Sequence, residues 1–229
     1  MHRPQKVIRV LFMVSVLVAL AAATGPGFGA SCPLSATTGL VFEFSRPVSD
    51  NFWETVVSTM GHADLSTLFG HPVVLVERKR VAEGDEYLDL VQVTLRGDCA
   101  GGLNYESSGD GGALGWVHLL DGRIQRFVFV DCDQIARMLR SELRDKAAGE
   151  RLRVMARAIS YVVVHELVHI TTQDPSHRET GLRKAYATKG DLLSGAGDIS
   201  KQGTLVAPNS ASCPADETTQ ASRLEPDFW

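Results

Sequence analysis

The stretch that most constrains this chain is residues 151–171, where His165-Glu166-Leu167-Val168-His169 sits inside an apolar run. Leu152, Met155, Ile159, Val162 and Val163 recur at helical spacing, which predicts a helix over 151–171. Val164, Leu167, Val168 and Ile170 then leave that helix apolar on most sides, as in a buried core helix. Two histidines and a glutamate in such a setting need partners, because a buried polar group without one is costly. Residues four apart share a helix face. His165 and His169 therefore present two imidazoles to one ion. Glu166, turned about 100° around the axis, reaches a water beside that ion rather than the ion itself. HExxH on a helix predicts a Zn²⁺ site, in preference to a polar cluster satisfied without metal.

Catalytic zinc takes three protein ligands and leaves one position open. His177 is the expected third ligand. It follows His169 by eight residues, past the helix stop that Pro175 imposes on the residue before it. Asp174, Glu179 and Asp191 compete for the role, although imidazole suits zinc better than they do. His62, His71 and His118 lie in the earlier half and are expected to be ordinary surface or core histidines.

The first residues set the compartment. Arg3, Lys6 and Arg9 precede an uncharged apolar run over 10–23 that ends in small residues, with Ala21 and Ala23 at cleavage-site spacing. This is the pattern of a signal peptide over 1–23, and the run is short of the roughly 20 residues a membrane span needs. No other apolar run is expected to span a membrane, and the protein is expected to be secreted or periplasmic. Loss of those three bases and no acid makes a chain already at −4 more acidic, which argues against a nucleic-acid partner. Export also makes two disulfides plausible among Cys32, Cys99, Cys132 and Cys213. Four cysteines allow three pairings, and sequence does not choose among them. Cys99–Cys132 with Cys32–Cys213 is the favoured pairing, and buried free thiols are the alternative.

The remaining pattern predicts a lead-in over 24–48 with a short strand at 40–44, then a helix over 50–60. Residues 62–69 extend that helix or form a second one. Strands over 72–80 and 87–95 are expected to pair as a hairpin through Glu83-Gly84-Asp85. The glycine-rich run over 100–115 lacks a phosphate-loop pattern and reads as a surface loop. A second hairpin, 114–120 with 123–130, turns at Asp121-Gly122. A helix over 134–148 follows, capped by Asp131 or Asp133 and separated by Gly149 from the HExxH helix. Residues 195–229 read as a flexible polar tail. The fold class is α+β in one catalytic domain over 49–194, with a small sheet, mostly antiparallel or mixed, packed on the HExxH helix.

His165-Glu166-x-x-His169, His177 and Gly181-Leu182-Arg183 together resemble the metzincin zinc peptidases, which carry HExxHxxGxxH and a methionine turn behind the metal. The match is partial: the third metzincin histidine falls at Pro175 here, and the glycine at Thr172. More similar is a group of uncharacterised secreted bacterial proteins of an acidobacterial type, with a third histidine eight residues after the motif and then a Gly-Ile-Met turn. Leu182 stands where that methionine would be. The resemblance covers residues 114–193. It implies a metzincin-like fold and hydrolysis of a peptide or protein substrate by a zinc-activated water, with Glu166 as general base. Tyr186, just beyond the Leu182 turn, is a candidate transition-state stabiliser, and the strand over 114–119 is a candidate edge for an extended peptide. Two other functions compete. One is a non-catalytic, zinc-stabilised extracellular binding protein; the other is a zinc amidase acting on cell-wall peptides.

Overall fold

The computed structural model describes residues 36–101 and 112–196. The expected signal peptide, Cys32, Cys213, the centre of the glycine-rich run and the tail beyond 196 lie outside the described residues. The domain is α+β, with a five-stranded mixed sheet in the order β2-β1-β3-β5-β4. The strands are β1 (Thr38–Phe44), β2 (Val73–Glu77), β3 (Asp89–Arg96), β4 (Gly115–Leu120) and β5 (Arg123–Asp131). The helices are α1 (Asp50–Gly61), α2 (Ser66–Phe69), α3 (Cys132–Met138), α4 (Arg140–Arg144), α5 (Ala148–Thr172) and α6 (Lys189–Ser194).

β1, read from sequence as part of a lead-in, is an interior strand of the sheet, with β2 and β3 parallel on either side. Burial from both directions explains its apolar run Leu40-Val41-Phe42, since an interior parallel strand covered on both faces has no solvent face to alternate toward. The expected hairpin between β2 and β3 does not form. Both strands run parallel to β1, and parallel neighbours cannot be joined by a tight turn. The connection instead carries a 3₁₀ turn, Arg78–Arg80, and lays the Tyr87 ring on Gly39. β3 pairs in parallel with β5, so the sheet is mostly parallel rather than mostly antiparallel; β4 and β5 are its antiparallel pair. That hairpin turns where expected. Asp121 (φ 50°) and Gly122 (φ 75°) both adopt the left-handed region that a type I′ turn requires.

In register across the sheet, Leu40–Val91, Phe42–Val93, Val93–Val128 and Leu95–Val130 present one apolar face. α1 and α5 pack together, and α5 also lies along β4 and β5. Phe52, Trp53, Val56 and Met60 bury the face of α1, and Ser49 caps it by accepting from Phe52 N at 3.2 Å. The expected single helix over 134–148 is two, bent at Leu139 (φ −95°, ψ 13°), which lets both Leu139 and Leu143 bury completely. Asp131 is the cap, accepting from Gln134 N at 2.8 Å. Gly149 does not separate helices, because α5 already includes it in its first turn. Backbone N–H groups there have no intrahelical acceptor in any case, so a glycine costs less than at mid-helix. The break falls before Ala148, where Lys146 pairs with Glu150 and its carbonyl accepts from Arg151 Nη1 at 2.7 Å.

A disulfide joins Cys99, just after β3, to Cys132 at the start of α3, one of the two favoured bridges. By length and composition alone α5 is apolar enough to pass for a membrane span. Within the domain, however, 83% of that stretch is buried, as befits a core helix. α5 ends at Gln173, whose backbone is left-handed (φ 52°). The Gln173 amide accepts from Ile124 N and donates to Ile124 O, both at 3.1 Å, so the helix end is fastened to β5 as one strand is to another.

Candidate metal centre

α5 places His165 and His169 one turn apart, facing the same cavity. His169 and Glu166 are buried and His165 nearly so. Past Gln173 the chain turns back through Asp174-Pro175-Ser176, and His177 comes over the two helical rings. Its ring centroid is 5.4 Å from that of His165 and 4.9 Å from that of His169. One ring nitrogen from each of the three histidines lies within 4.8 Å of the others, a group able to hold a metal ion.

The outer ring nitrogens test whether an ion fits. His165 Nδ1 donates to Leu182 O, and His169 Nδ1 donates to Asp174 O at 2.7 Å. A carbonyl only accepts, so both protons belong on Nδ1 and both Nε2 atoms carry lone pairs. Those two Nε2 atoms are 3.2 Å apart. Two lone pairs at that distance repel unless a cation lies between them. Two imidazole nitrogens on one tetrahedral zinc, each about 2.0–2.1 Å from it, lie about 3.3–3.4 Å apart. Burial pushes the His165 imidazole down to about 4, and desolvation and the neighbouring His169 and Arg183 lower His177 as well. Neutral imidazole is the form that binds metal. The donor set therefore fits zinc.

Glu166 points from the adjacent helix position, with Oε1 4.0 Å from His165 Nε2. Burial alone pushes its carboxyl up to about 8. A cation in the histidine cluster is the opposite charge that favours its carboxylate form. Over it lies Gly115 at the start of β4. A Cβ there would overlap Val162 Cγ1 and come within 3.1 Å of Glu166 Oε1. Sequence reading passed over Gly115, although a glycine inside a strand is itself a sign of close approach.

The competing carboxylates are engaged elsewhere. The Asp174 side chain pairs with Arg183, whose hydrogen bonds hold it well below the usual carboxylate range. Asp191 accepts from Lys184 Nζ at 2.8 Å and from Thr188 N at 2.7 Å in a capping box. Glu179 is exposed and outside the histidine cluster. His71 bonds Thr38 Oγ1 at 2.5 Å and His118 packs edge-on against Phe129, so neither joins the cluster. Tyr186 is 87% exposed and does not line the cavity, so the structure does not bring it to the histidines.

The cavity, about 310 Å³, runs between β4 (Gly115, Trp116, Val117) and the segment holding Lys184, Ala185 and Ala187. Tyr161, one turn before His165, also lines it, and burial pushes its hydroxyl up to about 12. The Leu182 turn passes beneath the cluster, buried, and supplies the carbonyl that orients His165. No protein-family model matches the chain, and no curated protein matches it.

Proposed function

We propose that this chain is a secreted zinc-dependent peptidase with a metzincin-like catalytic domain, acting on peptides or proteins. The observation that carries the reading is the pair of Nε2 lone pairs, 3.2 Å apart and fixed from behind by two carbonyls, with a buried carboxyl alongside. Support for the metzincin likeness comes from the buried Leu182 turn under His165 and from an antiparallel edge strand, β4, bordering the cavity. The Cys99–Cys132 bridge suits an oxidising compartment.

His165, His169 and His177 would hold the ion. When bound, Zn²⁺ supplies Lewis acidity, polarising a carbonyl and making water more acidic. Glu166 takes a proton from the attacking water and delivers it to the leaving amine. Val162 and Gly115 wall one side of that carboxylate, which is itself buried. Among the described residues the outer edge of β4 is unpaired in the sheet, and an extended substrate adds there as a further strand. A structural ion would have no use for Glu166, which is why a zinc-stabilised binding protein ranks second.

The test pairs zinc analysis of the mature protein with hydrolysis of casein, a broad peptide library and muropeptides, for wild type, Glu166→Ala and His177→Ala. Expected are one zinc per chain, peptide hydrolysis lost in Glu166→Ala, and reduced zinc occupancy in His177→Ala. Bound zinc with no turnover on any substrate supports the binding-protein reading instead. Activity confined to muropeptides supports the cell-wall amidase.

A further inference from the structure

Two of the three histidines owe their position to a buried helix, but His177 does not. Residues 172–181 include no buried residue, so the hydrophobic core does not hold this stretch in place. What holds it is polar and converges on Arg183, itself buried beside Leu182. Arg183 Nη2 donates to Asp174 Oδ2, to Ser176 O at 2.9 Å and to Ser176 Oγ at 3.3 Å. Asp174 Oδ1 accepts from Ser176 N at 2.9 Å, closing the turn that precedes His177. On the far side of His177, Arg178 N donates to Arg183 O at 2.7 Å. The same Asp174 supplies the carbonyl that orients His169.

Resting on the reading of this cluster as a zinc site, we propose that Arg183 is its positioning residue. The side chain fixes the turn before His177 and its carbonyl fixes the residue after. Through Asp174 the clamp also sets the ring of His169. All three side-chain contacts leave from the one Nη2 nitrogen, at the planar end of a side chain long enough to reach both Asp174 and Ser176, and its charge is permanent.

The experiment is zinc affinity by chelator competition for wild type, Arg183→Met, Arg183→Lys, Asp174→Asn and, as the reference for a lost loop ligand, His177→Ala. The visible spectrum of each cobalt-substituted protein and the thermal midpoint of each metal-free protein accompany it. Arg183→Met is expected to bind zinc about 10- to 100-fold more weakly, the usual cost of losing an outer-shell partner. Its cobalt spectrum is expected to move toward that of His177→Ala. Arg183→Lys should restore only part of the affinity, and Asp174→Asn should weaken binding less than Arg183→Met. A merely structural ion pair would lower the metal-free midpoint and leave the cobalt spectrum as in wild type. That result, or zinc affinity within twofold of wild type, overturns the proposal. If Arg183→Met does not fold, Asp174→Asn decides by the same two readouts. Wild type that binds no zinc refutes the metal-site reading and the clamp together, whereas wild-type binding with unaffected variants refutes the clamp alone.

Discussion

His165 and His169 stand on a helix packed on nearly every side, whereas His177 stands on a ten-residue stretch that buries nothing. The first two inherit their geometry from the core. If α5 is in place, their spacing follows from the helix repeat and their tautomers from the carbonyls behind them. The third depends on a few part-buried hydrogen bonds and one ion pair, each individually modest. One centre thus combines a rigid half and a half held by a few polar links. Loss of a helical ligand should disturb the core as well as the ion, and loss of the loop ligand only the ion.

The contrast can be tested by substitutions of decreasing effect. Glu166→Gln keeps the shape of the rigid half and removes its base. Hydrolysis should fall about 10²- to 10⁴-fold with zinc content unchanged, read by initial rates beside metal analysis. A small loss of rate would take Glu166 out of the chemistry. Leu167→Ala, inside the motif and fully buried, should cost about 2–5 kcal/mol in urea unfolding of the metal-free protein. Glu179→Ala, in the exposed half, should stay within about 0.5 kcal/mol. Equal costs would abolish the distinction between the halves. Gly115→Ala drives a methyl against Val162 and Glu166 and should destabilise by about 1–3 kcal/mol while lowering turnover. Unchanged stability and rate together would show that β4 does not press on the base. Gln173→Ala removes the amide that bridges α5 and Ile124; about 1 kcal/mol is expected, with amide exchange at Ile124 accelerated. Unchanged exchange there would mean that the helix end is not fastened to the strand.

The rigid half is also the half that sequence reveals. Helical spacing from Leu152 to Val163 located α5, and the motif on it named His165, Glu166 and His169. His177 was reachable by its distance beyond Pro175 and by the preference of zinc for imidazole. Arg183 was not, because a basic residue in a loop carries no periodic signal, and its role depends on folding back over nine residues to Asp174. The Asp121-Gly122 hairpin was legible, since two residues of turn chemistry decide it locally. The parallel placement of β2 and β3 on either side of β1 was not. Strand patterns record which segments are extended, but not that β1 lies between these two. The bend at Leu139 was hidden for a similar reason: two leucines four apart fit a straight helix as well as a broken one.

The parallel pairing around β1 has a consequence for how the chain finds this arrangement. Among the described residues, only β4 and β5 are joined by a two-residue turn; every other pairing in the sheet closes a loop of tens of residues. Closing a short loop costs the least chain entropy, and distant pairings form more slowly. Assembly is therefore favoured to begin at the hairpin and the helices that follow it in sequence. β1, interior to the finished sheet, has only such distant pairings and is expected to join after the hairpin has formed.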